Sequence, residues 1–199
     1  MSSSVVMQRT TEVSPRFKAR MAGVLFLLSV VTAAFAEIFV RGRLNVAGGL
    51  VAVLGMIAVT LLFYDILSPV DRSLCVLAAS FNLVGLAFEA LRLQPQGVNL
   101  AVVFDGFYCI LIGYLVFRST FLPRILGALM ALGGLGWLTF LSSPLASYLS
   151  PYNLALGLLG EGSVCLWILL MGVNVRRWNG QAGAAGKPLS MAPGRAPLS

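Results

Sequence analysis

Apolar residues along the chain come in six blocks, each about as long as a helix needs to cross a lipid bilayer. A helix rises about 1.5 Å per residue, so about 20 apolar residues span roughly 30 Å of hydrocarbon. The polar stretches between the blocks are too short to hold a folded soluble domain. We therefore predict an all-α integral membrane bundle of six transmembrane helices, at about residues 21–40, 46–67, 73–93, 98–117, 125–141 and 153–173.

The same pattern divides the chain into three parts. Residues 21–177 contain the six spans, and neighbouring spans run antiparallel because each connection is short. Residues 1–20 are polar and basic, which indicates a flexible cytoplasmic tail. Residues 178–199 are rich in glycine, alanine and proline and cannot bury a core, so we expect a disordered cytoplasmic tail there.

The first span has a second interpretation. The basic residues at 16–20, the apolar run and the AFA at 34–36 resemble a signal peptide that is cleaved after Ala36. Against this, the apolar run resumes after Glu37 and reaches Val40, which makes about 20 residues, long enough to cross the bilayer. We favour an uncleaved first helix.

Composition supports a membrane protein, because 58% of the residues are hydrophobic and 11% are charged, whereas soluble domains have about 25% charged residues. The net charge of +7 could indicate a nucleic-acid partner, but the positions of the basic residues explain it without one. If the N-terminus is cytoplasmic, only Arg41, Arg43 and Arg92 lie outside. This bias predicts a multi-pass protein of the cytoplasmic membrane with both termini inside, the lipid bilayer as partner and no nucleic acid. The inside residues are Arg9, Arg16, Lys18, Arg20, Arg72, Arg118, Arg124, Arg176, Arg177, Lys187 and Arg195.

The chain lacks the residues on which many enzyme and metal sites depend. It has no histidine, the commonest metal ligand and general base. Cys75, Cys109 and Cys165 all lie inside predicted spans without a CxxC pair, which is typical of packing residues. We see no nucleophile or lipid-phosphate motif, so we predict no catalytic residues and no cofactor, and an enzyme ranks behind the other classes.

Four acidic residues fall in the outer half of the predicted bundle. Glu37 and Glu89 lie near the outer ends of the first and third spans, and Asp105 and Glu161 lie deeper in the fourth and sixth. From the helical rise, their depths are roughly 4 to 12 Å below the outer boundary. An ionised acid at mid-membrane costs about 2.5–3.5 kcal/mol on insertion scales. We therefore expect all four side chains to point inward, toward one another, arginine or water.

Small and polar residues recur on one face of several spans, at helical spacings of three and four. Lipid would favour leucine there, so these faces are predicted to contact other helices, which small residues allow to approach closely. The face of the third span carries Cys75, Ala78, Asn82, Gly85, Glu89 and Arg92, and that of the fifth carries Gly127, Ala131 and Gly134.

Glu37, the acid nearest the outer boundary, favours a structural role. Glu37 and Arg41 are four residues apart and Glu89 and Arg92 are three apart, the spacings of helical ion pairs. Such pairs would close the outer mouth of the bundle.

The deeper acids favour a functional role, because Asp105 and Glu161 have no basic residue nearby in sequence. They could instead be neutral groups that are hydrogen-bonded to Tyr108, Asn82 or the backbone. The functional hypothesis is a cation or proton site that is reached from outside, formed by Glu89, Asp105 and Glu161 with Arg92 and Asn82.

A metal site made from Asp105, Glu161, Cys109 and Cys165 is a further alternative. The two acid–cysteine pairs have similar predicted depths on spans that run in the same direction. A ligand set without histidine is unusual, so we predict no metal site.

Parts of the sequence resemble domain-of-unknown-function family 4386, whose members are small, mostly bacterial, multi-pass membrane proteins. The resemblance lies in RMAGVLFLLSVVTAAFAEIFVRGRL at 20–44, FYCILIGYLVFRSTFLPRILGALMALGGLGWL at 107–138 and GEGSVCLWILLMGVNVRRW at 160–178, and more loosely in 67–84. It implies six helices and an uncleaved first span. It also implies an arginine in many relatives where this chain has Asn82, which weakens the transfer of any family site, and it brings no activity with it.

Two classes of function remain. The first is small cation- or proton-coupled transport or permeation through the outer acidic site. The second is a non-enzymatic structural, sensory or partner-binding membrane protein, in which the same acids only hold helices together. The substrate and the oligomeric state do not follow from the sequence.

Overall fold

A computed structural model describes residues 14–186 of the chain. Six of its helices are long and apolar enough to cross a membrane, and the described residues contain no strand. The predicted all-α bundle of six spans is therefore confirmed. The helices are α1 Pro15–Phe39, α2 Arg43–Leu67, α3 Arg72–Ala90, α4 Leu100–Arg118, α5 Arg124–Leu138, α6 Ser143–Leu149, α7 Tyr152–Leu170 and α8 Val175–Ala185.

The six spans α1–α5 and α7 form a ring in which each packs on the spans before and after it, and α7 closes the ring against α1. A turn of 3-10 helix extends α5 to Leu141, and the short helix α6 joins it to α7. The core lies inside this ring, and α4 is the most buried span. Many leucine, valine and phenylalanine side chains on the outside of the ring are exposed, as lipid contact requires.

Glycines set the closest helix contacts and place α5 between α4 and α7. A Cβ added to Gly127 of α5 would lie 2.5 Å from the carbonyl oxygen of Gly113 on α4. On the other side of α5, a Cβ on Gly160 of α7 would lie 3.0 Å from Cα of Gly133. Backbones this close leave no room for side chains between them, so α4 and α7 pack closely on opposite faces of α5.

Helix α1 begins earlier than its apolar run predicts. The hydroxyl of Ser14 accepts a hydrogen bond of 3.2 Å from the backbone N–H of Phe17, and Pro15 occupies the first turn. These are helix-start signals that do not depend on hydrophobicity. Residues 15–20 are therefore helical rather than part of a flexible tail, whereas the rest of the predicted tail, 1–13, lies outside the described residues.

The predicted disordered C-terminal tail is also wrong over its first residues, because α8 extends to Ala185. The indole N–H of Trp178 donates a 2.8 Å hydrogen bond to the carbonyl oxygen of Ile66, at the end of α2. The side-chain oxygen of Gln181 accepts bonds from the backbone N–H and hydroxyl of Thr120. These contacts hold α8 against the bundle, and residues 187–199 lie outside the described part.

Replacing Trp178 with phenylalanine is expected to loosen α8. The change keeps most of the ring and removes the N–H that binds Ile66, so the free energy of local opening should fall by about 1 kcal/mol. Amide hydrogen exchange over residues 175–185 should then quicken about fivefold. A Trp167→Phe variant is the control and should leave these amides unchanged. Equal protection in both variants would show that the bond to Ile66 does not hold α8.

Candidate functional site

Asp105 and Cys109 on α4 meet Glu161 on α7. One carboxylate oxygen of each acid and the sulfur of Cys109 all lie within 4.8 Å of one another. The sulfur is 3.7 Å from Oδ2 of Asp105 and 3.7 Å from Oε1 of Glu161. Cys109 is fully buried, whereas both acids are partly buried. We call these three residues the acidic cluster.

The helix between α4 and α7 supplies a fourth group. The indole N–H of Trp137 on α5 donates a short hydrogen bond to Oε1 of Glu161. Gly157, one turn before Glu161 on α7, leaves the space in which this indole lies, because a Cβ there would overlap the ring. The glycine contacts of α5 thus bring a donor to the carboxylate pair.

Two cavities lie between the outer end of the bundle and the acidic cluster, where outer denotes the end that the sequence predicts to face outward. The first, of about 170 Å³, is lined by Glu37, Glu89 and Arg92 among others. The second, of about 150 Å³, is lined by Asn82, Glu89, Asp105 and Glu161 among others. Both are lined by Met56, Leu86 and Glu89, so Glu89 lies where they adjoin.

The ion pair at the outer end differs from the predicted one. Glu37 pairs with Arg92 at 3.6 Å rather than with Arg41. Helix α1 ends at Phe39, so Arg41 lies beyond the last helical turn and loses the i, i+4 geometry. Arg92 lies past the end of α3 with φ of 51°, and its guanidinium also donates a short hydrogen bond to the side-chain oxygen of Asn45.

The remaining candidates have different partners from those expected. Arg92 forms its ion pair with Glu37 and not with Glu89, because α3 ends at Ala90 and the i, i+3 spacing no longer applies. Asn82 is buried and donates a 2.6 Å hydrogen bond to the hydroxyl of Thr60 on α2 rather than to an acid. Glu89 is exposed, at the last turn of its helix.

Three of the four residues considered for a metal site come together in the acidic cluster. Cys165 does not join them, because its sulfur lies 3.5 Å from the carbonyl oxygen of Gly23 on α1. Two carboxylates and one thiol are donors of mixed hardness. Their arrangement also fits a proton or a small cation that is bound mainly by oxygen.

Sequence reasoning missed Trp137 and Asn45. Trp137 lies in an apolar stretch, where tryptophan counts as hydrophobic, and Asn45 lies in the short link between the first two predicted spans, where a polar residue is ordinary. The available signal was the indole N–H, which needs an acceptor when it is buried. The fifth span, which contains Trp137, has no acidic residue, so an acidic partner for the indole had to come from a neighbouring helix.

Comparison with known proteins gives a family and a distant relative. Residues 86–172 match a family model described as Domain of unknown function (DUF4386), a range that contains Glu89 and the whole acidic cluster. An uncharacterized protein from Archaeoglobus fulgidus is 26% identical over 127 residues, which cover 58% of this chain and 76% of that protein. No solved structure matches the chain.

Proposed function

We propose from the residues themselves that the function is cation- or proton-coupled transport or permeation across the cytoplasmic membrane. The DUF4386 family model, which matches residues 86–172, has no assigned function. The site is the acidic cluster, with Glu89, Arg92 and Asn82 along the route to it. Both termini are cytoplasmic in this proposal, as the distribution of basic residues favours.

The observation that supports this proposal most is the pair of adjoining cavities between the outer end and the carboxylates. Each is larger than the space that one water molecule needs. Glu89 lies at the junction and offers an intermediate carboxylate between Glu37 at the mouth and Asp105 in the depth. The route is therefore lined by acids at successive depths, as cation and proton pathways in membranes are.

The cluster has the chemistry to hold a positive charge. Two carboxylates within 4.8 Å of each other repel strongly where the dielectric constant is low. A proton or a cation between them removes that repulsion. The N–H of Trp137 donates to one oxygen of Glu161, which stabilises negative charge on that carboxylate.

The proposal predicts that water reaches position 105 from outside. Single cysteines in place of Glu89 or Asp105, in a chain whose native cysteines are alanine, should react with a membrane-impermeant maleimide added to intact cells. The cysteine at 89 should react faster because it lines both cavities. The matched control is Ile112→Cys, about two turns further along α4, whose native side chain is 2% exposed.

That control should react only after denaturation. If the cysteine at 105 behaves in the same way, no aqueous route reaches the cluster and the transport proposal loses its main support.

A structural role is the second candidate, and the contacts of Glu161 favour it. Its Oε1 already has the indole of Trp137 and the thiol of Cys109 as neighbours. These contacts join α4, α5 and α7 and could serve only to hold them together. The two candidates differ in what they require of Glu161: a titratable carboxyl group for transport, and only a hydrogen-bond acceptor for packing.

A further inference from the structure

A larger cavity, of about 520 Å³, lies at the inner end of the bundle, opposite the acidic cluster. It is open on one side and bounded by the start of α1, the turn at residues 119–123, the end of α7 and the link into α8. A volume of this size is typical of ligand sites in proteins, which run from about 300 to 1,000 Å³.

The charge of this cavity is positive. Arg16 and Arg177 both line it, and none of the described residues that line it is acidic. Within residues 14–186 neither arginine takes part in an ion pair, whereas the nearby Lys18 pairs with Asp65 at 2.9 Å. Two arginines without a carboxylate partner in the lining of one cavity favour an anion, because guanidinium groups match phosphate geometry.

The backbone makes room for one of these arginines. Gly172 follows α7 with φ of 71°, and a Cβ there would lie 2.9 Å from Cγ of Arg16. The glycine therefore allows the stem of Arg16 to lie across the end of α7. A larger residue would strain the turn and displace the side chain.

The second arginine is held from the opposite wall. The guanidinium of Arg177 donates a 3.3 Å hydrogen bond to the carbonyl oxygen of Thr120, which uses one of its five N–H groups. Asn174, just before α8, caps that helix, because its side-chain oxygen accepts a 3.2 Å hydrogen bond from the backbone N–H of Arg177. The bond to Thr120 orients the guanidinium of Arg177 and leaves its other N–H groups available to a ligand.

The cavity is also bounded by apolar groups at the edge of the spans. Phe121, Leu122 and Val173 are buried in its lining, and the partly exposed Trp167 and Met171 lie near the end of α7. A basic recess beside an interfacial tryptophan suits a lipid headgroup whose acyl chains remain in the bilayer. We infer that this cavity binds a phosphate group, and that an anionic phospholipid of the inner leaflet supplies it.

The test is lipid binding to the purified full chain, measured by native mass spectrometry during titration with phosphatidylglycerol. Phosphatidylcholine is the zwitterionic comparison, and inorganic phosphate and ATP are the soluble comparisons. The wild-type chain should bind phosphatidylglycerol in preference to phosphatidylcholine. Replacing Arg16 and Arg177 with glutamine should weaken this binding about tenfold or more, because it removes the charge-assisted hydrogen bonds of both guanidinium groups to the phosphate.

The matched control replaces Arg20 and Arg72 with glutamine, which removes the same charge from the same end without touching the lining. It should weaken binding less than the first pair does. Equal binding of the two phospholipids by the wild-type chain, or equal losses in the two double variants, would overturn the site. Arginine-dependent binding of phosphate or ATP without phosphatidylglycerol would support the phosphate site and overturn the lipid as its source.

Discussion

Replacing Gly127 with leucine is expected to be among the most damaging single substitutions in the bundle. A Cβ at this position would lie 2.5 Å from the carbonyl oxygen of Gly113 and 2.5 Å from the backbone nitrogen of Phe117. Both neighbours are backbone atoms of α4, so neither can rotate away. The two helices must separate, and we expect a loss of about 3 kcal/mol in the free energy of unfolding.

The measurement is unfolding of the purified protein by titration with a denaturing detergent, followed by circular dichroism. Gly162→Leu is a matched control, since the position is on α7, in another span, and has no atom within 4 Å of an added Cβ. That variant should be as stable as the wild type or slightly more so, because glycine inside a helix is unfavourable by about 1 kcal/mol. Equal losses in both variants would mean that the α4–α5 contact is not close.

Separation of α4 from α5 also has a consequence for the acidic cluster. Asp105 and Cys109 lie on α4, and the indole that binds Glu161 lies on α5. Gly127→Leu should therefore disturb the cluster from more than two turns away along α5, with no change in any of its residues. Maleimide labelling at position 105 in this background would report the disturbance.

Replacing Glu161 with glutamine should separate the two candidate functions. The side-chain oxygen of glutamine still accepts from Trp137, so the free energy of unfolding should change by less than about 1 kcal/mol. Glutamine cannot take up a proton or balance a cation, so flux into vesicles that contain the purified protein should fall to the rate of protein-free vesicles. Flux is measured with a pH-sensitive dye and with cation-selective dyes.

The comparison variant is Glu161→Leu, which removes the acceptor as well as the charge. It leaves the N–H of Trp137 without its partner, and we expect it to cost about 1–3 kcal/mol more than glutamine does. If the glutamine variant transports like the wild type, the carboxyl group of Glu161 is not the site. If the wild-type chain shows no flux while the leucine variant alone is unstable, the acid only packs helices.

The meeting of Asp105 and Glu161 could be anticipated because helix geometry fixes depth. Each residue adds the same rise, so distance from a span's end gives the level in the membrane, and two acids at one level on inward faces come close. The order of the spans around the ring was not needed for this. The sequence could not indicate that Cys165 faces α1 while Cys109 joins the acids, since that depends on how each helix is rotated.

The errors arose where helices end. The pair of Glu37 with Arg41 assumed that α1 continues through both residues, but it stops at Phe39 and Arg92 comes in from another helix. The composition of the C-terminal segment gave no sign that Trp178 would bond to Ile66 and hold α8. Where a helix ends and where a single tertiary hydrogen bond forms determined both outcomes. A prediction from hydrophobicity contains no information about either.

The closure of the ring by α7 has a consequence for the biogenesis of the protein. Spans enter the membrane in the order of synthesis, so Asp105 and Trp137 are already inserted when the last span arrives with Glu161. Until then, the cell holds a membrane intermediate with an acid and an indole that lack their final partner.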